Sequence, residues 1–308
     1  MKNLLLILLL LLTGEISAQQ TATIVVKTTP DNEIAYWPTG KDHLFFITLG
    51  TKAQADPQGQ FVHEFSVSRP TTIHVWAKGN NSFTLYLTPG SKDTIAVAKN
   101  TINFSGTNRV YNRCLKAVDD YQQYSDNLIY MQPHELEGVT SLEQYHQLAD
   151  ARMKQALDSV NASGLDKEFL AEQRAHIDYT HRSIFLHVAM YLVKNENFTE
   201  NWRKELAEII NQPVDSDYLR SYRGIGLFIN DLIGAQFIKL ENGKPEEIKD
   251  YCSFRFDRYR KFFKGDNLQY AQALLIYEDE FQTRNTPSIP QLYERYKAEF
   301  PNSPFLSV

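Results

Sequence analysis

The spacing of apolar residues changes once along this chain, and that change limits the fold more than any single residue does. From Thr21 to about Gly106 the period is two. In Phe61-Val62-His63-Glu64-Phe65-Ser66-Val67 the odd positions carry the bulk and the even ones mostly face water. Similar short runs occur at Thr23 to Val26, Glu33 to Trp37, His43 to Leu49, Thr71 to Ala77, Ser82 to Leu87 and Thr94 to Ala98. Turn-forming residues separate them: Pro30-Asp31-Asn32, Pro57-Gln58-Gly59, Gly79-Asn80-Asn81 and Pro89-Gly90. This spacing predicts an antiparallel β-sandwich over 19–106, with an open barrel as the weaker alternative.

Beyond Gly106 the period becomes 3.6. Helices are expected at Asn108 to Met131, Ser141 to Asn161, Glu168 to Lys194, Gly226 to Leu240 and Asn267 to Phe281. A last one is expected to open near Pro290 and stop at Pro301. Ser141-Leu142-Glu143-Gln144 has the form of a capping box. The fold class is therefore α+β: an N-terminal sandwich followed by an all-helical domain over 107–308. Charge divides the same way, with 7 basic and 6 acidic residues in 19–106 against 24 and 30 in 107–308.

The first 18 residues read differently from either half. Met1-Lys2-Asn3 precedes nine unbroken apolar residues, Leu4 to Leu12, and a small residue, Ala18, precedes Gln19. This is the pattern of a secretory signal peptide cleaved near Ala18. Nine residues at about 1.5 Å each reach roughly 14 Å, about half the hydrocarbon thickness of a bilayer. The expected location is the periplasm or cell envelope, with no transmembrane anchor. A net charge of −5 supplies no positive field for a nucleic acid.

Chemical motifs are sparse. There is no G-x-S-x-G elbow and no phosphate-binding G-x-x-x-x-G-K-[ST] loop. Glu172 and His176 share a helix face, but the favoured reading is a hydrogen-bonded histidine at the edge of a core, so no metal is expected. His63-Glu64 lacks the second histidine of a zincin helix and falls in a strand. Cys114 and Cys252 stand 138 positions apart, either as a disulfide or as two buried free thiols, the latter favoured. Neither belongs to a C-x-x-C pair. Tyr36, Trp37 and Trp76 are candidates for a ligand-stacking platform, against the competing reading that they are core. No catalytic residue and no cofactor are expected.

Three segments carry a resemblance. Leu85-Tyr86-Leu87-Thr88-Pro89-Gly90-Ser91-Lys92-Asp93-Thr94-Ile95 resembles a strand–turn–strand of the domain-of-unknown-function 4369 type. That domain precedes the thioredoxin domain in exported TlpA-like disulfide reductases of Bacteroidetes. Phe104 to Asn112 resembles the junction from that domain into a helical segment. Leu292 to Phe305 is similar to the family's last helix before its linker to thioredoxin. The resemblance implies a W-C-x-x-C segment beyond Phe305, and no reductase active-site residue has a counterpart in this sequence. It thus implies an exported, non-catalytic accessory module with a protein or cell-envelope partner. A fragment of a full-length oxidoreductase is one alternative, and a hydrolase with a site between the two domains is another.

Overall fold

The computed structural model describes residues 20–39, 50–79, 81–98, 101–131, 135–136, 138–194, 199–214, 228–240, 248–281 and 284–306. The chain is an α+β protein and divides into two compact units, the first described at 20–38 and 51–113, the second from Cys114 onward.

In the first unit the period-two runs become strands β1 (Gln20–Lys27), β2 (Glu33–Pro38), β3 (Thr51–Gln54), β4 (Gln60–Val67), β5 (Thr71–Ala77), β6 (Asn81–Leu87), β7 (Lys92–Ala98) and β8 (Thr101–Gly106). They pair as two four-stranded sheets, ordered β4-β1-β7-β8 and β3-β2-β5-β6. Alternation decides what is buried. Ala22, Ile24 and Val26 of β1 share one apolar core with Ile73, Val75 and Ala77 of β5 and Phe83, Leu85 and Leu87 of β6.

The sandwich is not wholly antiparallel. β1 and β7 run parallel, with Val25 opposite Thr94, while every other pair is antiparallel. Alternation reports which face a residue occupies and carries no information about strand direction. β3 and β8 were not expected as separate strands for a related reason. β3 has one half-buried residue and β8 one fully buried residue, Phe104, so both are edge strands with little apolar signal. The strand expected at 43–49 and the leader at 1–18 lie outside the described residues.

The second unit contains α1 (Arg109–Asp126, continued by a π-helical turn at Asn127–Met131), whose first turn belongs to the first unit, then α2 (Leu142–Asn161) and α3 (Lys167–Lys194). These are followed by α4 (Glu200–Asn211), α5 (Asn230–Leu240), α6 (Tyr251–Arg258), α7 (Gly265–Phe281) and α8 (Ile289–Glu299). The capping box at the start of α2 is formed: Ser141 Oγ accepts from the Gln144 amide, and Gln144 Oε1 accepts from the Ser141 amide. Helix α4 is absent from the sequence reading, although Trp202, Leu206, Ile209 and Ile210 are spaced to line one face and all are buried. Buried Arg182 of α3 reaches the C-terminus of α4 and donates to the Ile209 carbonyl at 3.1 Å, while lying 4.7 Å from the Phe228 ring. No helix among the described residues is long and apolar enough to cross a membrane.

Candidate functional site

One polar arrangement among the described residues runs across four helices of the second unit through hydrogen bonds and one histidine–carboxylate contact. Tyr121 of α1 places its Oη 2.9 Å from Nδ1 of His181 on α3. The other His181 nitrogen, Nε2, lies 3.3 Å from Oδ1 of Asp150 on α2. Asp150 Oδ2 is 2.8 Å from Nδ1 of His146, one turn earlier on the same helix, and His146 Nε2 is 3.3 Å from Glu205 of α4. The order is Tyr121–His181–Asp150–His146–Glu205.

Between Tyr121 and His181 either the hydroxyl or the ring nitrogen can donate, according to the tautomer of the imidazole. Above the chain, the fully buried Tyr145 donates to the His181 carbonyl at 3.3 Å. Burial drives the His181 pKa below the usual imidazole value, and nearby His146 adds to this, against the pull of Asp150 and Asp178. Burial also pushes the Tyr121 phenol far up, with Tyr124, Asp150 and Asp178 acting in the same direction.

A hydroxyl, an imidazole and a carboxylate in series have the order of a nucleophilic triad. The energetics oppose that use. A phenol 4% exposed and held away from ionisation is neither reachable nor activated. Nor do the donors gather around one point: no group of three or more His, Cys, Asp or Glu among the described residues is arranged to hold a metal. Glu172 and His176 are both half-buried on α3 and belong to no such group.

A second polar cluster lies deeper. Arg255 of α6 is 3.5 Å from Glu278 of α7 and donates to the Tyr259 hydroxyl at 3.0 Å, which in turn donates to Asn230 of α5. His187 of α3 sits 3.1 Å from Asp231 of α5. Burial works against a charged His187, but the hydrogen bond and attraction of Asp231 outweigh it and raise its pKa. Both cysteines are free and buried. Burial raises the Cys114 thiol to about 11, only partly countered by Ser163, and it raises Cys252 as well. Cys252 Sγ is 3.8 Å from both Asp279 and Thr286. A thiol held in that range is a poor nucleophile at neutral pH.

The aromatic platform does not assemble. Successive side chains of a strand leave opposite faces, so Tyr36 and Trp37 point apart. Tyr36 turns to the core side, with its hydroxyl 3.0 Å from His63 Nε2 and its ring near Phe61 and Phe65. Trp37 is on the other face, 5% exposed and 5.0 Å from the His74 ring. Trp76 shares that outer face, opposite Ala35. Trp37 therefore has too little exposed surface to stack a ligand, and Tyr36 is on the wrong side.

Two of the three segments behind the family resemblance prove to be one structural joint. The Tyr86 amide donates to Asn112 Oδ1 at 2.7 Å, and the Thr88 hydroxyl to Asn108 Oδ1 at 3.2 Å. Buried Asp93 accepts from both the backbone amide and the side-chain amide of Asn108, at 2.7 and 2.9 Å. Gly106 bends the chain here with φ +109°, and a Cβ at this position would stand 2.2 Å from the Lys92 carbonyl oxygen. The third segment also closes on itself: Tyr296 Oη lies 2.5 Å from Ser303 Oγ, and the Phe305 amide donates to that same Ser303 oxygen at 3.1 Å. The role of these residues is architectural.

Fold and site together define a two-unit α+β protein with a polar chain in its helical part. No protein-family model matches the chain, and no curated protein matches it.

Proposed function

We propose that this protein is an exported, non-catalytic accessory module of a TlpA-like thiol–disulfide oxidoreductase system, acting by binding a protein or cell-envelope partner. One observation carries the reading: the chain's only two cysteines are free and buried, and burial disfavours the thiolate of each. The interlocking of Leu85–Ile95 with Phe104–Asn112 adds support, because it gives those segments a reason to recur wherever such a sandwich leads into a helix. The test is a thiol assay on the purified chain without its leader. Neither cysteine should react quickly with a disulfide reagent in the native state, both should react after denaturation, and insulin should not be reduced. Turnover of insulin, or rapid native labelling of either thiol, would overturn the reading.

A further inference from the structure

Each sheet of the sandwich ends in two edge strands, β4 and β8 in one, β3 and β6 in the other. β3 has four residues and carries Lys52, β8 has six, and β6 gives its Tyr86 amide to the Asn112 side chain. β4 differs. It is eight residues long, contains neither lysine nor proline, and pairs with β1 without a bulge from Gln20–Val67 to Lys27–Gln60. The Thr28 amide donates to the Gly59 carbonyl, which sets the phase of that ladder. Phe61, His63 and Phe65 therefore aim their amides and carbonyls at β1, while Val62, Glu64 and Ser66 aim theirs away from it. Thr23, opposite Glu64, agrees with this phase by donating to Ser91 on its β7 side. At one end the Asp56 turn takes both the carbonyl and the amide of Gln60. From Val62 to Ser66 the outward amides and carbonyls have no hydrogen-bond partner among the described residues.

We propose that this open edge of β4 binds an extended strand of a partner protein, added antiparallel to the sheet. The inference rests on the binding role proposed above for the existence of a protein partner, while the edge itself rests on backbone geometry. Side chains define the partner's chemistry. Val62, which is 57% exposed, shares the solvent face with exposed Glu64 and Ser66, and residues opposite them in an antiparallel ladder lie on that same face. Glu64, the only carboxylate of β4, calls for a lysine or arginine opposite it, and Val62 calls for an apolar residue. The partner's two intervening side chains turn to the core side. There half-buried His63, Phe65 and Tyr36 form a rim, with ring centres 4.5 to 5.4 Å apart, that suits apolar β-branched residues. Read from its N-terminus, opposite Ser66 to Val62, the partner strand is hydroxyl, apolar, cation, apolar, apolar. A second copy of β4 fits less well. The register that pairs all three open residues with their equivalents sets Glu64 against Glu64, and every other register on the same face leaves at least one of the three without an equivalent.

The test titrates a labelled peptide, Ser-Thr-Val-Lys-Ile-Val-Ser, onto the full chain and follows fluorescence anisotropy. N-methylation of its Thr, Lys and second Val amides, which face β4, should abolish binding, whereas N-methylation of the first Val and the Ile should leave it. No binding, or equal sensitivity to both methylation patterns, would overturn the proposal. Glu64→Lys should weaken binding about fivefold, and a peptide with glutamate in place of lysine should recover the loss on that variant. Unchanged affinity there would refute the assigned register. Val62→Pro removes an outward amide and no ladder bond, which a folded edge strand tolerates, and should weaken binding severalfold. The amides of Val62, Glu64 and Ser66 should exchange quickly in the free chain and slowly with peptide bound. Slow exchange in the free chain, or a dimer that Val62→Pro dissolves, would show the edge already occupied and overturn the partner strand. The insulin assay separates the two readings: failure to bind peptide with inert thiols removes the edge alone, and peptide binding with insulin turnover removes the accessory reading alone.

Discussion

The two units solve the problem of an interior in opposite ways. The sandwich core is apolar, and the buried polar residues of its unit, Ser91, Asp93, Asn108 and Asn112, belong to the joint where β7 and β8 give way to α1. The helical unit buries Arg182, Arg255, Glu278, Asp279, Gln272 and Gln173 along its length. A sheet satisfies its backbone and hides one side chain in two, so a polar residue inside it needs a special partner. A bundle of helices can bring side chains from several elements to one place, where pairing offsets part of the cost of burying them. The lesson is that specificity in the sandwich comes from pattern and in the helices from pairing.

The largest effect should come from breaking a pair in the helical unit. Glu278→Leu leaves Arg255 buried beside a lost carboxylate, and should cost about 3–5 kcal/mol of helical stability. Replacing both residues by apolar ones should recover most of that loss. Urea denaturation followed by helical circular dichroism measures both. A single substitution costing almost nothing would show that pairing does not hold this unit together.

Next comes the joint. Gly106→Ala drives a Cβ into the Lys92 carbonyl at an unfavourable φ and should destabilise the sandwich by about 1–3 kcal/mol. Trp37 and Trp76 lie in the sandwich and Trp202 in the helices, so a Trp202→Phe background makes tryptophan fluorescence report on the sandwich alone. An unchanged midpoint would mean that the joint is not rigid.

Ser141→Ala removes the reciprocal cap of α2 and should cost about 1 kcal/mol of helical stability, read by the same denaturation. The smallest expected difference concerns acid. Burial raises the Asp93 pKa despite its bonds from Asn108 and Ser91, so the folded sandwich takes up a proton before the unfolded chain does. Its contribution therefore improves as pH falls through the folded value toward 3.8, and is lost as pH rises. Asp93→Asn should flatten that slope. The sign is opposite to that of His181, whose folded pKa lies below the ordinary imidazole value. Identical slopes for wild type and Asp93→Asn would remove Asp93 from the account.

Much of the framework was legible beforehand. The period change near Gly106, the Ser141–Gln144 cap and the start of α8 at Ile289, next to Pro290, follow from rules spanning a few residues. The separation of Tyr36 from Trp37 is also legible, since adjacent strand residues cannot share a face. Helix α4 has a regular period too, in Trp202, Leu206, Ile209 and Ile210. His146 and Asp150 were visible as neighbours on one helix. Their partners were not: His181 lies 60 positions from Tyr121, and Glu205 lies 59 from His146. No local pattern encodes such a contact.

The sequence by itself determined where strands give way to helices, which strand residues face inward, and that only two thiols exist. These are consequences of periodicity and composition. Tertiary structure alone decided that β1 and β7 run parallel, that the Leu85–Ile95 and Phe104–Asn112 segments lock together through Asp93, Asn108 and Asn112, and that His181 stands between a phenol and a carboxylate. Each of these depends on chain segments distant in sequence meeting in space, and their energies arise only once burial has removed the water that would otherwise satisfy them.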